Sequence, residues 1–169
     1  YSYDSEDLRE MYANLLVSSM DDRTSEYVHP SFVQILKEMS PDEARLISCI
    51  ARGMAEDPEF AIPLLDRRVV PTGPMLPFRW RDLVRGYNVC CEGVCEHPDQ
   101  SLVYLGNLER LGVIESSDSY PEDLASKFED LESRELIARA KGEANLSEGW
   151  KFDVRRWSYR GTNYGRNFI

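Results

Sequence analysis

Apolar residues recur with helical spacing along the first third of the chain. Leu8, Met11, Tyr12, Leu15 and Leu16 fall at i, i+3, i+4, i+7 and i+8, one face of a helix that ends near Met20. Asp4 or Ser5 can cap it, and Glu6 and Asp7 suit the positive end of its dipole. His29-Pro30-Ser31-Phe32 opens a second helix, with proline in the first turn, where its missing N–H costs nothing. Phe32, Ile35, Leu36 and Met39 form its buried stripe. Ser40-Pro41-Asp42-Glu43 then spells a capping box, followed by a third apolar face of Leu46, Ile47, Ile50, Ala51 and Met54.

The pattern breaks between Glu56 and Phe78, where five prolines forbid a long helix and only Leu65 to Val70 reads as a short strand. Leu83, Val84 and Tyr87 suggest a helix over about Trp80 to Cys95. Asp99 or Ser101 starts another, with Leu102, Leu105, Leu108 and Leu111 inward and Gly112 as its stop. Val113 and Ile114 read as a strand. A helix over 121–141 carries Leu124, Phe128, Leu131 and Ile137, and Trp150, Phe152 and Val154 alternate with polar residues as in a half-buried strand.

This order of elements predicts a mainly α fold with a small β component: an N-terminal helical layer over 1–39 packed on a winged-helix-like domain over 40–169. The helix at about 120–142 would be an insertion in the wing. Both parts would form one compact unit.

Charge sharpens the picture. The chain of 169 residues carries a net −10, divided as −7 over 1–70, −1 over 71–111, −6 over 112–148 and +4 over 149–169. An acidic body repels nucleic acid and anionic lipid, so only the last stretch is suited to a phosphate backbone. There Lys151, Arg155, Arg156, Arg160 and Arg166 are the candidate contacts for nucleic acid or a partner. The helix ahead of that wing offers only Asn107 and Arg110 beside acidic residues, which disfavours base reading. No uncharged stretch approaches the ~20 residues of a membrane span, and no signal-peptide pattern opens the chain.

Four cysteines are too few for a secreted disulfide scaffold of this size, which points to reduced thiols in the cytoplasm. Cys90, Cys91, Cys95 and His97 invite a zinc reading, but all lie within eight residues with no second pair elsewhere. Small buried side chains are the better account, so neither metal nor cofactor is expected. No P-loop, GxGxxG, HExxH or GxSxG pattern occurs. His29 has no legible catalytic partner, and its place beside a proline at a helix start reads as capping or packing.

Leu8-Arg9-Glu10-Met11-Tyr12-Ala13-Asn14-Leu15-Leu16, Ser19-Met20-Asp21, His29-Pro30-Ser31-Phe32 and Ser40-Pro41-Asp42-Glu43-Ala44 follow one another in an order similar to that of the abortive infection alpha family. Leu105 to Ile114 and Thr162-Asn163-Tyr164-Gly165-Arg166-Asn167-Phe168 resemble its C-terminal half. The resemblance implies a bacterial cytoplasmic protein of phage defence, similar to the C-terminal conserved part of longer members, with no established catalytic residue. It marks His29, Pro30, Phe32, Ser40 and Glu43 as signature positions of a structural kind. The resulting expectation is a non-enzymatic interaction module with a protein partner, compatible with self-association. A nucleic-acid-binding winged helix is the alternative, and an effector enzyme such as a nuclease the weakest reading.

Overall fold

A computed structural model describes residues 6–21, 23, 28–72, 81–122, 124–134 and 150–168. The expected capping residues Asp4 and Ser5, and the end of the 121–141 helix with Ile137, lie outside the described residues. Among the described residues the order is α1 (Glu6–Met20), α2 (Ser31–Glu38), α3 (Pro41–Glu56), β1 (Ala61–Pro71), β2 (Arg81–Tyr87), a 3-10 turn (Pro98–Gln100), α4 (Ser101–Arg110), β3 (Ile114–Ser117), α5 (Leu124–Ser133), β4 (Trp150–Gly161) and α6 (Asn163–Phe168).

The strands form one sheet in the order β2-β1-β4-β3. The protein is therefore a mixed α/β fold, which overturns the expected mainly α, winged-helix-like architecture. The decisive difference lies at 81–87, where a strand stands in place of the expected middle helix. Its origin is local. β2 pairs antiparallel with β1, Leu65 opposite Tyr87 and Arg67 opposite Val84, so β2 spends one more residue than β1 over the same span. The extra residue is a bulge, and Gly86 sits within it at φ +59°, a left-handed conformation that suits glycine. The bulge brings Val84 and Tyr87, three apart, onto the same core. A bulged strand has thus reproduced a helical spacing.

β1 is longer than the expected Leu65–Val70. It begins at Ala61 and runs through Pro63 as a central strand, with Ala61, Ile62, Leu64 and Leu65 all buried. Burial on both faces gives a continuous apolar run instead of an alternation.

Two compact units are present: 1–60, 90–115 and 160–169 in the first, 61–89 and 116–159 in the second. In the first, the capping box holds as read, with Ser40 Oγ accepting the Glu43 amide at 3.3 Å and the Glu43 carboxylate accepting the Ser40 amide at 2.6 Å. Phe32, Ile35, Leu36 and Met39 are buried, as are Leu46, Ile47 and Ile50. α4 buries Leu105 and Leu108 as expected, but its inward stripe is completed by Ser101 and Tyr104, while Leu102 is exposed. The stripe with i, i+3, i+4, i+7 spacing has prevailed over the row of leucines. In the second unit, Leu124, Phe128 and Leu131 of α5 close over Ala61 and Leu65 of the sheet.

Candidate functional site

Among the described residues, each of the two units holds one buried aspartate that ties distant segments together. In the first, Asp42 is 5% exposed and accepts from the Glu96 amide at 2.8 Å, the His97 amide at 3.0 Å, the Tyr104 hydroxyl at 2.9 Å and Arg45 Nη1 at 2.7 Å. Burial alone would raise its pKa. The two amides, the tyrosine and the arginine outweigh that penalty and hold it at about 2. The sequence marks Asp42 only as a first-turn residue of α3, because three of its four partners lie 54 to 62 positions away. In the second unit, Asp66 accepts from the Gly86 amide at 2.7 Å and Trp157 Nε1 at 3.1 Å, closing the bulge against β4.

The cysteine cluster sits on the turn that Asp42 secures. Cys90 and Cys91 sulfurs are 3.8 Å apart, and the Cys95 thiol donates to the Asp42 carbonyl at 3.6 Å. The hydrogen bond with Cys90, then burial, raises the Cys91 pKa, and burial pushes the Cys95 thiol up to about 12. Thiols held protonated by burial are poor nucleophiles. No group of three or more His, Cys, Asp or Glu among the described residues is arranged to hold a metal ion.

The basic residues of the C-terminal stretch are largely committed within the chain. Arg155 meets Asp118 at 2.6 Å and Asp66 at 3.5 Å, and its guanidinium lies 5.5 Å from the Trp157 ring centroid. Arg156 pairs with Glu132 at 2.7 Å, and the hydrogen bond to that carboxylate raises its pKa. Arg160 pairs with Glu115 at 2.9 Å, and Arg166 donates to the Pro58 carbonyl at 2.8 Å. Lys151 is exposed. Lys151, Arg155 and Arg156 belong to the second unit, Arg160 and Arg166 to the first.

Among the described residues, α1 carries the largest apolar exposure. Leu8 is its one fully buried residue. Its inner side, with α2, α3 and α6, lines an open cleft of about 700 Å³ floored by Met11, Leu15, Phe32, Leu36, Ile47 and Phe168. Its outer side presents Leu16 at 64%, Val17 at 68% and Met20 at 84% exposure. Leu16, expected on the buried face, is thus turned outward. Residues 11–20 contain no charged side chain.

Against known proteins, the sequence profile of abortive infection alpha matches residues 1–169. The chain belongs to that family. No curated protein matches it. A solved structure, described as an uncharacterized protein from the hydrocarbon-degrading marine bacterium Alcanivorax borkumensis SK2, is similar at 24% identity over 81% of this chain and 88% of its own, with a TM-score of 0.48.

In this abortive infection alpha protein, the signature segments meet in the first unit. His29 Nδ1 accepts the Ser31 amide at 3.2 Å and hydrogen-bonds Ser31 Oγ at 2.5 Å, and that hydroxyl also bonds the Tyr164 hydroxyl. Phe32 packs its ring 5.2 Å from Tyr164 and 5.3 Å from Phe168, and Pro30 occupies the N-cap position of α2. Thr162 Oγ1 accepts the Gly165 amide at 2.8 Å and caps α6, while donating to the Gly112 carbonyl at 2.6 Å. A Cβ on Gly165 would stand 1.9 Å from the Val113 carbonyl oxygen, so only glycine allows this approach. His29, Ser31 and Tyr164 therefore lock α2 to α6. Ser40 and Glu43 fix the start of α3. No helix among the described residues is long and apolar enough to cross a membrane.

Proposed function

We propose that this abortive infection alpha protein is a non-enzymatic interaction module of bacterial phage defence, acting in the cytoplasm and engaging a protein partner through the outer face of α1. The observation that carries this reading is the row Leu16, Val17 and Met20, three large apolar side chains left in solvent within five residues of one helix. Scattered exposed hydrophobes are ordinary, but a contiguous uncharged patch marks a contact surface.

The same reading accounts for the other polar clusters. The His29–Ser31–Tyr164 chain joins two helix starts, and Asp42 joins a helix start to a turn, so both serve packing. Binding nucleic acid through the C-terminal arginines would first break their pairs with Asp118, Glu132 and Glu115, at a cost that offsets each phosphate gained.

A phage-plating assay tests the proposal. Leu16→Glu with Val17→Glu should abolish protection while the protein keeps its helical circular dichroism. Arg155→Glu with Arg156→Glu should leave protection intact wherever the fold persists. The reverse pattern would replace this reading with the nucleic-acid one.

A further inference from the structure

The cleft on the inner side of α1 holds polar side chains that the fold leaves unused. Its lining includes Glu10 and Asn14 of α1, Arg52 of α3 and Asn167 of α6. All four are exposed, and none makes a hydrogen bond or ion pair among the described residues. Arg52 is the one described arginine of the first unit without such a partner. The two free charges are held apart. Asp7, also on the rim, lies 3.2 Å from Arg45, which answers its charge. Glu10 stands one turn of α1 from Asp7, whereas Arg52 stands two turns of α3 beyond Arg45, about 10 Å along the helix axis.

These groups select a ligand by its charge. A fatty acid or a phosphate would satisfy Arg52 but meet Glu10 and the repulsion of a chain of net charge −10. A simple cation would satisfy Glu10 but be repelled by Arg52. A molecule of zero net charge, with a carboxylate and an ammonium at separate ends, satisfies both. Asn14 and Asn167 each offer an amide donor and an amide acceptor, which matches the backbone of a peptide. The apolar floor suits apolar side chains. Length sets an upper bound. The lining residues of α1 run from Asp7 to Ser18, about 16 Å, which is room for an extended peptide of about four residues.

We infer that the cleft binds a free, short peptide of about two to four apolar residues. Its carboxylate meets Arg52, its amino group meets Glu10, and its backbone bonds Asn14 and Asn167. This site goes beyond the interaction-module reading and does not depend on it.

Titration of the 169-residue chain with the tripeptide Leu-Leu-Phe, followed through the amide NMR shifts, tests this. Saturable shifts should appear over Glu10 to Ser18 and Ser48 to Arg52, with a dissociation constant between about 10 μM and 1 mM. Amidating the peptide's carboxylate should weaken binding to the unmodified protein about threefold or more, and should make no difference to Arg52→Gln. Acetylating its amino group should likewise weaken binding to the unmodified protein and make no difference to Glu10→Gln. Both substitutions fall at exposed positions, and circular dichroism would verify their folds. Decanoate, apolar and anionic, should bind more weakly than the tripeptide. Absence of saturable shifts up to about 5 mM overturns the inference, as does equal binding of the free and blocked peptides. Decanoate binding more tightly than the tripeptide overturns it in favour of an anion site.

Discussion

Helices α1 and α3 are nearly equal in length, at 15 and 16 residues, and share one unit, yet they are held in opposite ways. α3 starts on a complete capping box, buries Leu46, Ile47 and Ile50, and anchors a buried carboxylate that gathers four donors. α1 buries Leu8 alone and leaves its second half apolar in water. Satisfied polar groups and a one-sided apolar stripe belong to a scaffold. Apolar residues around most of a helix belong to one that is covered on two sides, and here the chain covers one. The difference separates what builds this protein from what it presents.

The contrast can be attacked first where α3 is pinned. Asp42→Ala leaves the Glu96 and His97 amides, the Tyr104 hydroxyl and Arg45 without their shared acceptor. It should cost about 3–5 kcal/mol, lowering the melting temperature by roughly 10 °C, as read by calorimetry. A loss as small as that of a surface substitution would remove Asp42 from its place in the account. Next is the single anchor of α1. Leu8→Ala should cost about 2–3 kcal/mol. In hydrogen exchange its effect should concentrate in α1, whose amides exchange before those of α3 in the native protein as well. Equal protection of the two helices would erase the comparison.

Acid gives a third, smaller effect. The folded pKa of Asp42 is about 2, below its ordinary 3.8, so its contribution is whole above about pH 4 and is lost as pH falls toward 2. The amount is about 2 kcal/mol. Asp42→Asn should abolish that part of the acid dependence, and urea titrations between pH 5 and 2.5 would measure it. The smallest effect belongs to the outer face: Leu16→Glu should change stability by no more than about 0.5 kcal/mol. A large destabilisation there would mean that Leu16 serves the fold after all.

How far the sequence foretold this structure depended on whether the determining contacts were local. The capping box at Ser40 and Glu43 is written in four consecutive residues, and the stripe of α2 in eight. Both were legible. β2 was not, because the bulge at Gly86 gave Val84 and Tyr87 a helical spacing, and the carboxylate that receives the Gly86 amide lies 20 residues away. The start of β1 was hidden by Pro63, whose place in a strand follows from the sheet around it. In α4, the leucine at 102 misled because the burial of Tyr104, bonded to Asp42, sets which side turns inward. The candidate arginines were found but not their partners, since Asp118 and Glu132 become neighbours only when the sheet and α5 come together. Leu16 and Val17 could be assigned to a helix, but no local pattern distinguishes an apolar side chain buried by its own chain from one kept for another.

The central claim is that the outer face of α1 is the surface this protein presents during phage defence. Site-specific photo-crosslinking from Val17 in protected cells tests it most directly, with Lys127 on the exposed side of α5 as the control position. The account predicts a discrete adduct from Val17 and none from Lys127. Full protection with no adduct at Val17 would contradict it.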